Sequence, residues 1–131
     1  MTTVPTITAL YGALNAIFNI YLANNVSTAR KKHKVSIGHG ESPEFLVVAR
    51  IHSNNAEFVP LAIVMMLIAE MLGGHTAILH TYGGLLLLAR VFHVIGMPRK
   101  APNFFRFTGV ALTWALIVAV SGWVLYLRTT V

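Results

Sequence analysis

Three polar side chains share one face of a predicted helix near the middle of the chain. Arg50, Asn54 and Glu57 are spaced at i, i+4 and i+7, and residues with this spacing lie above one another on an α-helix. Arg90 and His93, three residues apart in a later apolar segment, share a face in the same way. Guanidinium groups bind carboxylates, a carboxylate binds an ammonium group, and an amide can bind a peptide bond. Together these groups would suit a small zwitterion with excess negative charge.

The same residues also permit a purely structural interpretation. Arg50 could pair with Glu57 along one helix, or Glu57 could pair with Arg90 and hold two helices together. A single histidine such as His93 is more often a satisfied interior residue than a ligand. From residue types and spacing, a binding site and a structural ion pair therefore both stay open.

The segments that must position these side chains are long and apolar. Hydrophobic residues make up 56% of the 131 residues and charged residues only 11%, whereas soluble domains carry about 25% charged residues. The apolar segments are 4–26, 54–72, 76–95 and 104–127. Each approaches or reaches the roughly 20 residues that a helix needs to cross about 30 Å of hydrocarbon, and a chain in lipid must satisfy its backbone internally. The sequence predicts an all-α membrane protein with one domain, 1–131, folded as an up-down-up-down bundle of four transmembrane helices.

Local signals mark where the helices begin and end. Ser42, Pro43 and Glu44 provide a capping side chain, a first-turn proline and a first-turn acid, a combination typical of a helix start. The second helix should therefore begin well before its apolar part and run for about 30 residues, or ~45 Å. Pro98 should end the third helix, because proline cannot donate a backbone hydrogen bond.

The basic residues predict how the chain is oriented in the membrane. Seven of the ten lie in or beside the first and third connections, at Arg30, Lys31, Lys32, Lys34, Arg99, Lys100 and Arg106. The second connection and the N-terminal tail carry no lysine or arginine, although Arg128 lies near the C-terminus. The positive-inside rule places both basic connections in the cytoplasm and both termini outside. Because successive helices alternate in direction, the face bearing Arg50 and Glu57 should lie toward the same side as Arg90.

Residues 50–60, RIHSNNAEFVP, resemble a known family signature. They are similar to the R-x-x-x-N-x-x-E motif that opens the second helix of the MAPEG superfamily, the membrane-associated proteins in eicosanoid and glutathione metabolism. Residues 88–90, LAR, followed by His93 and Gly96, resemble the family's third-helix segment. The chain length, the four spans and the basic first connection also fit, most closely the small bacterial branch. The resemblance implies a homotrimer in a bacterial inner membrane, with glutathione bound between subunits on the cytoplasmic side.

The resemblance also implies roles for individual residues. The expected glutathione ligands are Arg30, Arg50, His52, Asn54, Glu57, Phe58, Arg90 and His93. The arginines would bind the two carboxylates and Glu57 the ammonium group. An arginine near the sulfur would stabilise the reactive thiolate, and Arg106 is the candidate for this catalytic role, with Arg99 as the alternative. Relatives that conjugate glutathione commonly carry tyrosines at the positions of Phe58, His93 and Met97, and this chain does not.

The resemblance implies a glutathione transferase, or a peroxidase, that attacks lipophilic electrophiles from the bilayer. The alternative is a non-catalytic membrane protein of the same fold that binds a lipid or another protein, which the missing tyrosines favour. Asn15, Asn19 and Glu70 would permit a transporter or channel, but the chain has no internal repeat to support one. The expected partners are further copies of the chain, the bilayer and a lipophilic substrate. We expect no nucleic acid partner and no metal; the lack of cysteine excludes thiolate metal sites.

Overall fold

Four long helices make up the protein. The computed structural model describes residues 4–130, and no strand occurs among them. The helices are α1 (Thr6–His33), α2 (Pro43–Met71), α3 (Thr76–Gly96) and α4 (Phe104–Leu127). Each is long and apolar enough to cross a membrane. The predicted four-helix membrane bundle is thereby confirmed.

The helix boundaries follow the local signals in the sequence. The Ser42 hydroxyl accepts a hydrogen bond from the Phe45 amide at 3.2 Å, and Pro43 is the first residue of α2. At 29 residues, α2 is about 43 Å long, so its first turns extend beyond a hydrocarbon core of about 30 Å. Helix α1 continues past its apolar part to His33, where basic residues in the last turn complement the helix dipole.

The bundle places α1 and α4 on opposite sides of the α2–α3 pair. Helix α1 packs against α2 and α3 but makes no contact with α4 within the described residues. Helices α3 and α4 approach most closely, because Gly96 lies against the backbone of Arg106 and Gly109 against that of His93. A Cβ atom at Gly109 would lie 2.6 Å from the His93 amide nitrogen. Small residues at such points let transmembrane helices pack backbone to backbone.

The interior contains an apolar cluster and a separate group of buried polar residues. The apolar cluster comes from the second half of α2, the first half of α3 and the second half of α4: Ala62, Met66, Ala69, Leu79, Tyr82, Leu86, Leu116 and Val120. The first half of α2, the second half of α3 and the first half of α4 contribute four buried polar residues: Asn55, Arg90, His93 and Thr113. The helix directions therefore bring these four residues to the same half of the bundle, whereas Glu70 and Thr8 are buried at the opposite end.

Glu70, at the end of α2, caps the beginning of α1. Its carboxylate accepts hydrogen bonds from the amide of Ile7 at 2.9 Å and of Thr8 at 2.7 Å. Pro5, the residue that precedes α1, provides no side-chain cap of its own. Glu70 is only 5% exposed, and its negative charge lies where the α1 dipole is positive. The carboxylate thus satisfies two amides that the helix itself leaves without acceptors.

Candidate functional site

The Arg90 guanidinium is the centre of a buried hydrogen-bond network. It is 1% exposed, and it donates through each of its three nitrogens to a different side chain. Nε donates to Asn55 Oδ1 at 3.1 Å, Nη1 to Thr113 Oγ1 at 3.1 Å and Nη2 to Asn54 Oδ1 at 2.8 Å. A single side chain of α3 therefore links α2 and α4.

The network extends to all four helices. The side-chain amide of Asn55 donates to Asn19 Oδ1 of α1 at 3.0 Å, and the Thr113 hydroxyl donates to the Gly109 carbonyl at 2.7 Å. Asn55 and Thr113 were not among the site residues predicted from the sequence, and Asn19 was named only as a possible channel residue. The available signal was that each of these polar residues interrupts an apolar span, where such residues usually face the bundle interior.

Among the residues that the structure describes, no carboxylate pairs with Arg90. Within residues 4–130, the salt bridges are those of Glu44 with Lys32 at 3.6 Å and with His33 at 3.7 Å. The single chain therefore forms neither of the two structural ion pairs that the sequence permitted for Glu57. All three groups that hold Arg90 are neutral.

Arg50 and Glu57 lie exposed on the outer face of α2. Neither side chain makes a hydrogen bond or ion pair with another described residue. Glu57 precedes the end of α2 at Met71 by 14 residues, or about 21 Å. Within a hydrocarbon core of about 30 Å, this places it below the membrane surface. Arg90 follows the start of α3 by the same 14 residues, so the two charges lie at similar depth.

The two imidazoles expected in the site differ in burial. His93 is 2% exposed, its backbone packs against Gly109, and its Nδ1 atom has no hydrogen-bond partner within the described part of the chain. His52 is half-buried on α2, close in sequence to Arg50. Phe58 is also half-buried, and its ring centroid lies 6.2 Å from that of Trp114 on α4. Phe58 therefore packs against α4 beside the polar face of α2.

The two candidates for thiolate stabilisation lie where α3 passes into α4. Arg106 is exposed in the first turn of α4, and it lines a shallow cavity of about 260 Å³. Asn103 caps this helix by accepting from the Arg106 amide at 2.9 Å. The Arg99 guanidinium instead lies 4.7 Å from the centre of the Phe105 ring. Of the two cations, only Arg106 belongs to a helix that also contributes to the Arg90 network.

Arg30 is directed toward the connection between α1 and α2. Its Nη1 atom donates to the carbonyls of Val35, Ser36 and Gly38 at 3.5, 3.4 and 3.2 Å. The guanidinium also lies 5.0 Å from the centre of the buried Phe45 ring. The structure therefore shows Arg30 organising the connection that precedes α2.

The polar residues that would permit a channel have partners within the bundle. The Asn15 side chain donates to the Tyr11 carbonyl at 2.8 Å, Asn19 accepts from Asn55, and Glu70 caps α1. Polar side chains of this kind commonly join transmembrane helices. Asn19 and Glu70 therefore join helices, whereas Asn15 bonds within α1 and its buried Oδ1 has no partner in the described part of the chain.

Among the predicted site residues, the structure brings Asn54 and Arg90 into direct contact. Arg50 and Glu57 lie on the same helix face as Asn54, one turn before it and one turn after it. The resulting surface has guanidinium and amide donors at one end and a carboxylate acceptor at the other. Such a surface can bind an elongated zwitterion through its carboxylate and its ammonium group.

Two comparisons with known proteins agree. The family model described as the MAPEG family matches residues 8–126. The inner membrane protein YecN of Escherichia coli strain K12 is 34% identical over 112 residues, which cover 86% of this chain and 85% of the relative. YecN of Escherichia coli O6:H1 strain CFT073 matches with the same identity and coverage. The name of these relatives gives a location, the inner membrane, and no activity.

Proposed function

The chain belongs to the MAPEG family, and we propose that it is a membrane glutathione transferase that conjugates the glutathione thiolate to lipophilic electrophiles. One observation carries the proposal: Arg50, Asn54 and Glu57 form a face of α2 on which neither charged side chain has a partner among residues 4–130. A charge at membrane depth costs several kcal/mol unless it meets water or another polar group. Glu57, which lies below the membrane surface, therefore needs a polar partner on this face.

Glutathione supplies the groups that this face lacks. It carries two carboxylates, one ammonium group and two peptide bonds. Arg50 would bind a carboxylate, Glu57 the ammonium group, and Asn54 a carboxylate or a peptide carbonyl. We propose that a neighbouring copy of the chain, in a homotrimer, covers the site, because the face lies on the outside of the single bundle.

Arg106 is the proposed stabiliser of the thiolate. A guanidinium lowers the pKa of a nearby thiol, and the thiolate is the nucleophile. Arg106 is exposed in the first turn of α4, where the helix dipole adds positive potential. Arg99 is the alternative, although its guanidinium is already stacked on Phe105. The basic connections near both arginines support a site that opens toward the cytoplasm.

Calorimetric titration of glutathione into detergent-purified protein tests the binding step. Arg50→Ala and Glu57→Ala should each weaken binding by about ten- to a hundredfold, since a hydrogen bond to a charged group is worth about 1.5–3 kcal/mol. The matched controls are Arg128→Ala and Glu44→Ala, which remove the same charges from exposed positions outside this face. If the control variants bind as poorly as the site variants, or if all variants bind equally, the proposed binding face is wrong.

A second titration separates an enzyme from a non-catalytic binder. In the transferase, the ultraviolet absorbance of the thiolate should appear at lower pH for bound than for free glutathione. Arg106→Ala should abolish this shift and Arg99→Ala should leave it in place. The absence of a hydroxyl at Phe58 and Met97 is the observation that favours a binder. Binding without a shifted thiol pKa, and without turnover of electrophiles or hydroperoxides, would support that second function.

A further inference from the structure

The contact between Arg90 and Asn54 fixes the direction in which the Asn54 amide points. We propose that Arg90 is a positioning residue, which holds the amino group of Asn54 toward the ligand and makes no direct contact with the ligand itself. This inference rests on the proposed glutathione site and assigns Asn54 a single role, that of a donor to a carbonyl or carboxylate oxygen.

The direction follows from the chemistry of the guanidinium group. Arginine has five N–H donors and no acceptor, so any side-chain amide that contacts it must present its oxygen. Asn54 Oδ1 lies 2.8 Å from Arg90 Nη2. The amino group of Asn54 must then point away from Arg90, because the oxygen and nitrogen occupy opposite arms of the amide. The usual ambiguity between the two orientations of an asparagine does not arise here.

Asn54 and the next residue use Arg90 in different ways. Asn55 also presents its oxygen to Arg90, but its amino group donates inward to Asn19 at 3.0 Å. Asn55 is 1% exposed, so both of its polar ends are satisfied inside the bundle. Asn54 is half-buried, and its amino group has no partner among residues 4–130. Of the two adjacent amides, only Asn54 leaves its amino group without a partner in the described part of the chain, and by helical spacing this residue shares its face with Arg50 and Glu57.

Burial indicates that Arg90 acts through Asn54. Its side chain is 1% exposed, and each of its three nitrogens already donates to a protein oxygen. A cation that donates to an amide oxygen also polarises the amide, which strengthens its N–H groups as donors. The neutral partners leave the charge of Arg90 uncompensated, so this polarisation is not cancelled by a nearby carboxylate.

Two substitutions of equal charge test the inference. Asn54→Asp and Asn55→Asp each place one carboxylate beside Arg90, and each retains an oxygen for the guanidinium. Asn55→Asp also loses the donor to Asn19 Oδ1, but the Asn19 amide can turn its amino group toward the new carboxylate, so the bundle should fold in both variants. Only Asn54→Asp removes the donors from the ligand face. We expect it to weaken glutathione binding about tenfold or more, whereas Asn55→Asp should stay within about threefold of the wild type.

The alternatives give different patterns in the same calorimetric titration. If Arg90 binds the ligand anion directly, either carboxylate neutralises it and both variants lose affinity to the same extent. If the network is purely structural, neither variant changes the affinity. Either pattern would overturn the inference.

A measurement without glutathione separates this inference from the proposed function. Hydrogen exchange of the side-chain amides, followed by NMR on the ligand-free protein, should be faster for Asn54 than for Asn55. Equal protection of the two amides would overturn the positioning role, whatever the protein binds. If wild-type protein fails to bind glutathione while Asn54 exchanges rapidly, the proposed function is wrong and the orientation of Asn54 is still supported.

Discussion

Replacing Glu70 with alanine should destabilise the bundle more than the loss of any exposed acid. The carboxylate accepts from two amides, at 2.9 and 2.7 Å, in the first turn of α1. A buried donor that loses its acceptor costs about 1–3 kcal/mol, and Ile7 is only partly buried. We therefore expect Glu70→Ala to reduce the free energy of unfolding by about 2–4 kcal/mol. Glu70→Gln keeps one acceptor oxygen and should lose about half as much.

The free energy of unfolding can be measured by titrating SDS into mixed micelles and following the helical signal. Glu44→Ala is the matched control, because it removes the same charge from an exposed side chain, whose ion pairs are with Lys32 and His33. Exposed pairs of this kind contribute about 0–1 kcal/mol. Amide hydrogen exchange adds a local measurement: protection should fall at Ile7 and Thr8 in the Glu70→Ala variant.

If Glu70→Ala proved no more harmful than Glu44→Ala, Glu70 would not stabilise α1 as a cap. The capping role would also be refuted if stability fell while the amides of Ile7 and Thr8 kept their protection. In that second case, the carboxylate would stabilise the protein by a route other than capping α1.

Three further predictions concern packing, the first connection and orientation. Gly109→Ala should reduce the free energy of unfolding by about 1–3 kcal/mol, because the added Cβ forces α3 and α4 apart. At Gly122 nothing lies within 4 Å, so Gly122→Ala should be neutral or stabilise the protein by up to about 1 kcal/mol. SDS unfolding compares the two variants, and equal effects would refute the close approach of α3 and α4. Arg30→Ala should speed hydrogen exchange of the backbone amides of residues 35–38, because three carbonyls of this connection lose their donor. Arg30→Lys should restore part of the protection. Unchanged exchange in both variants would contradict the role of Arg30 in ordering the connection. In intact cells, a membrane-impermeant maleimide should label Thr129→Cys but label Ile37→Cys only after permeabilisation, and the opposite pattern would reverse the proposed orientation.

The sequence predicted the fold well because membrane helices obey strong local rules. Hydropathy placed four helices, and Ser42 with Pro43 marked the true start of α2 eleven residues before its predicted apolar segment. Arg50 and Glu57 lie on the same face of α2 because they are seven residues apart, so this result could be predicted from the sequence. The depth of Glu57 follows equally from counting residues along a regular helix.

The partners of individual side chains could not be predicted in the same way. Which oxygen atoms surround Arg90 depends on the rotation of α2 and α4 about their axes, and apolar helices carry little signal for that rotation. Glu70 was named from the sequence only as a possible channel residue. Its capping role could not be foreseen, because its partners are backbone amides and nearly every residue has one. The position of Arg30 depends on the path of an irregular connection, where three backbone carbonyls converge on its guanidinium.

The four-helix network around Arg90 also bears on how the chain enters the membrane during synthesis. Helix α3 brings a cation into the bilayer, and an arginine at the centre of an inserting helix costs about 2.5–3.5 kcal/mol. Two of its acceptors, Asn54 and Asn55, belong to the helix made just before it, while Thr113 follows later. Two of the amide oxygens that accept from Arg90 are therefore synthesised before Arg90 itself. Helices α2 and α3 would then leave the translocon together as a hairpin, and α4 would complete the enclosure.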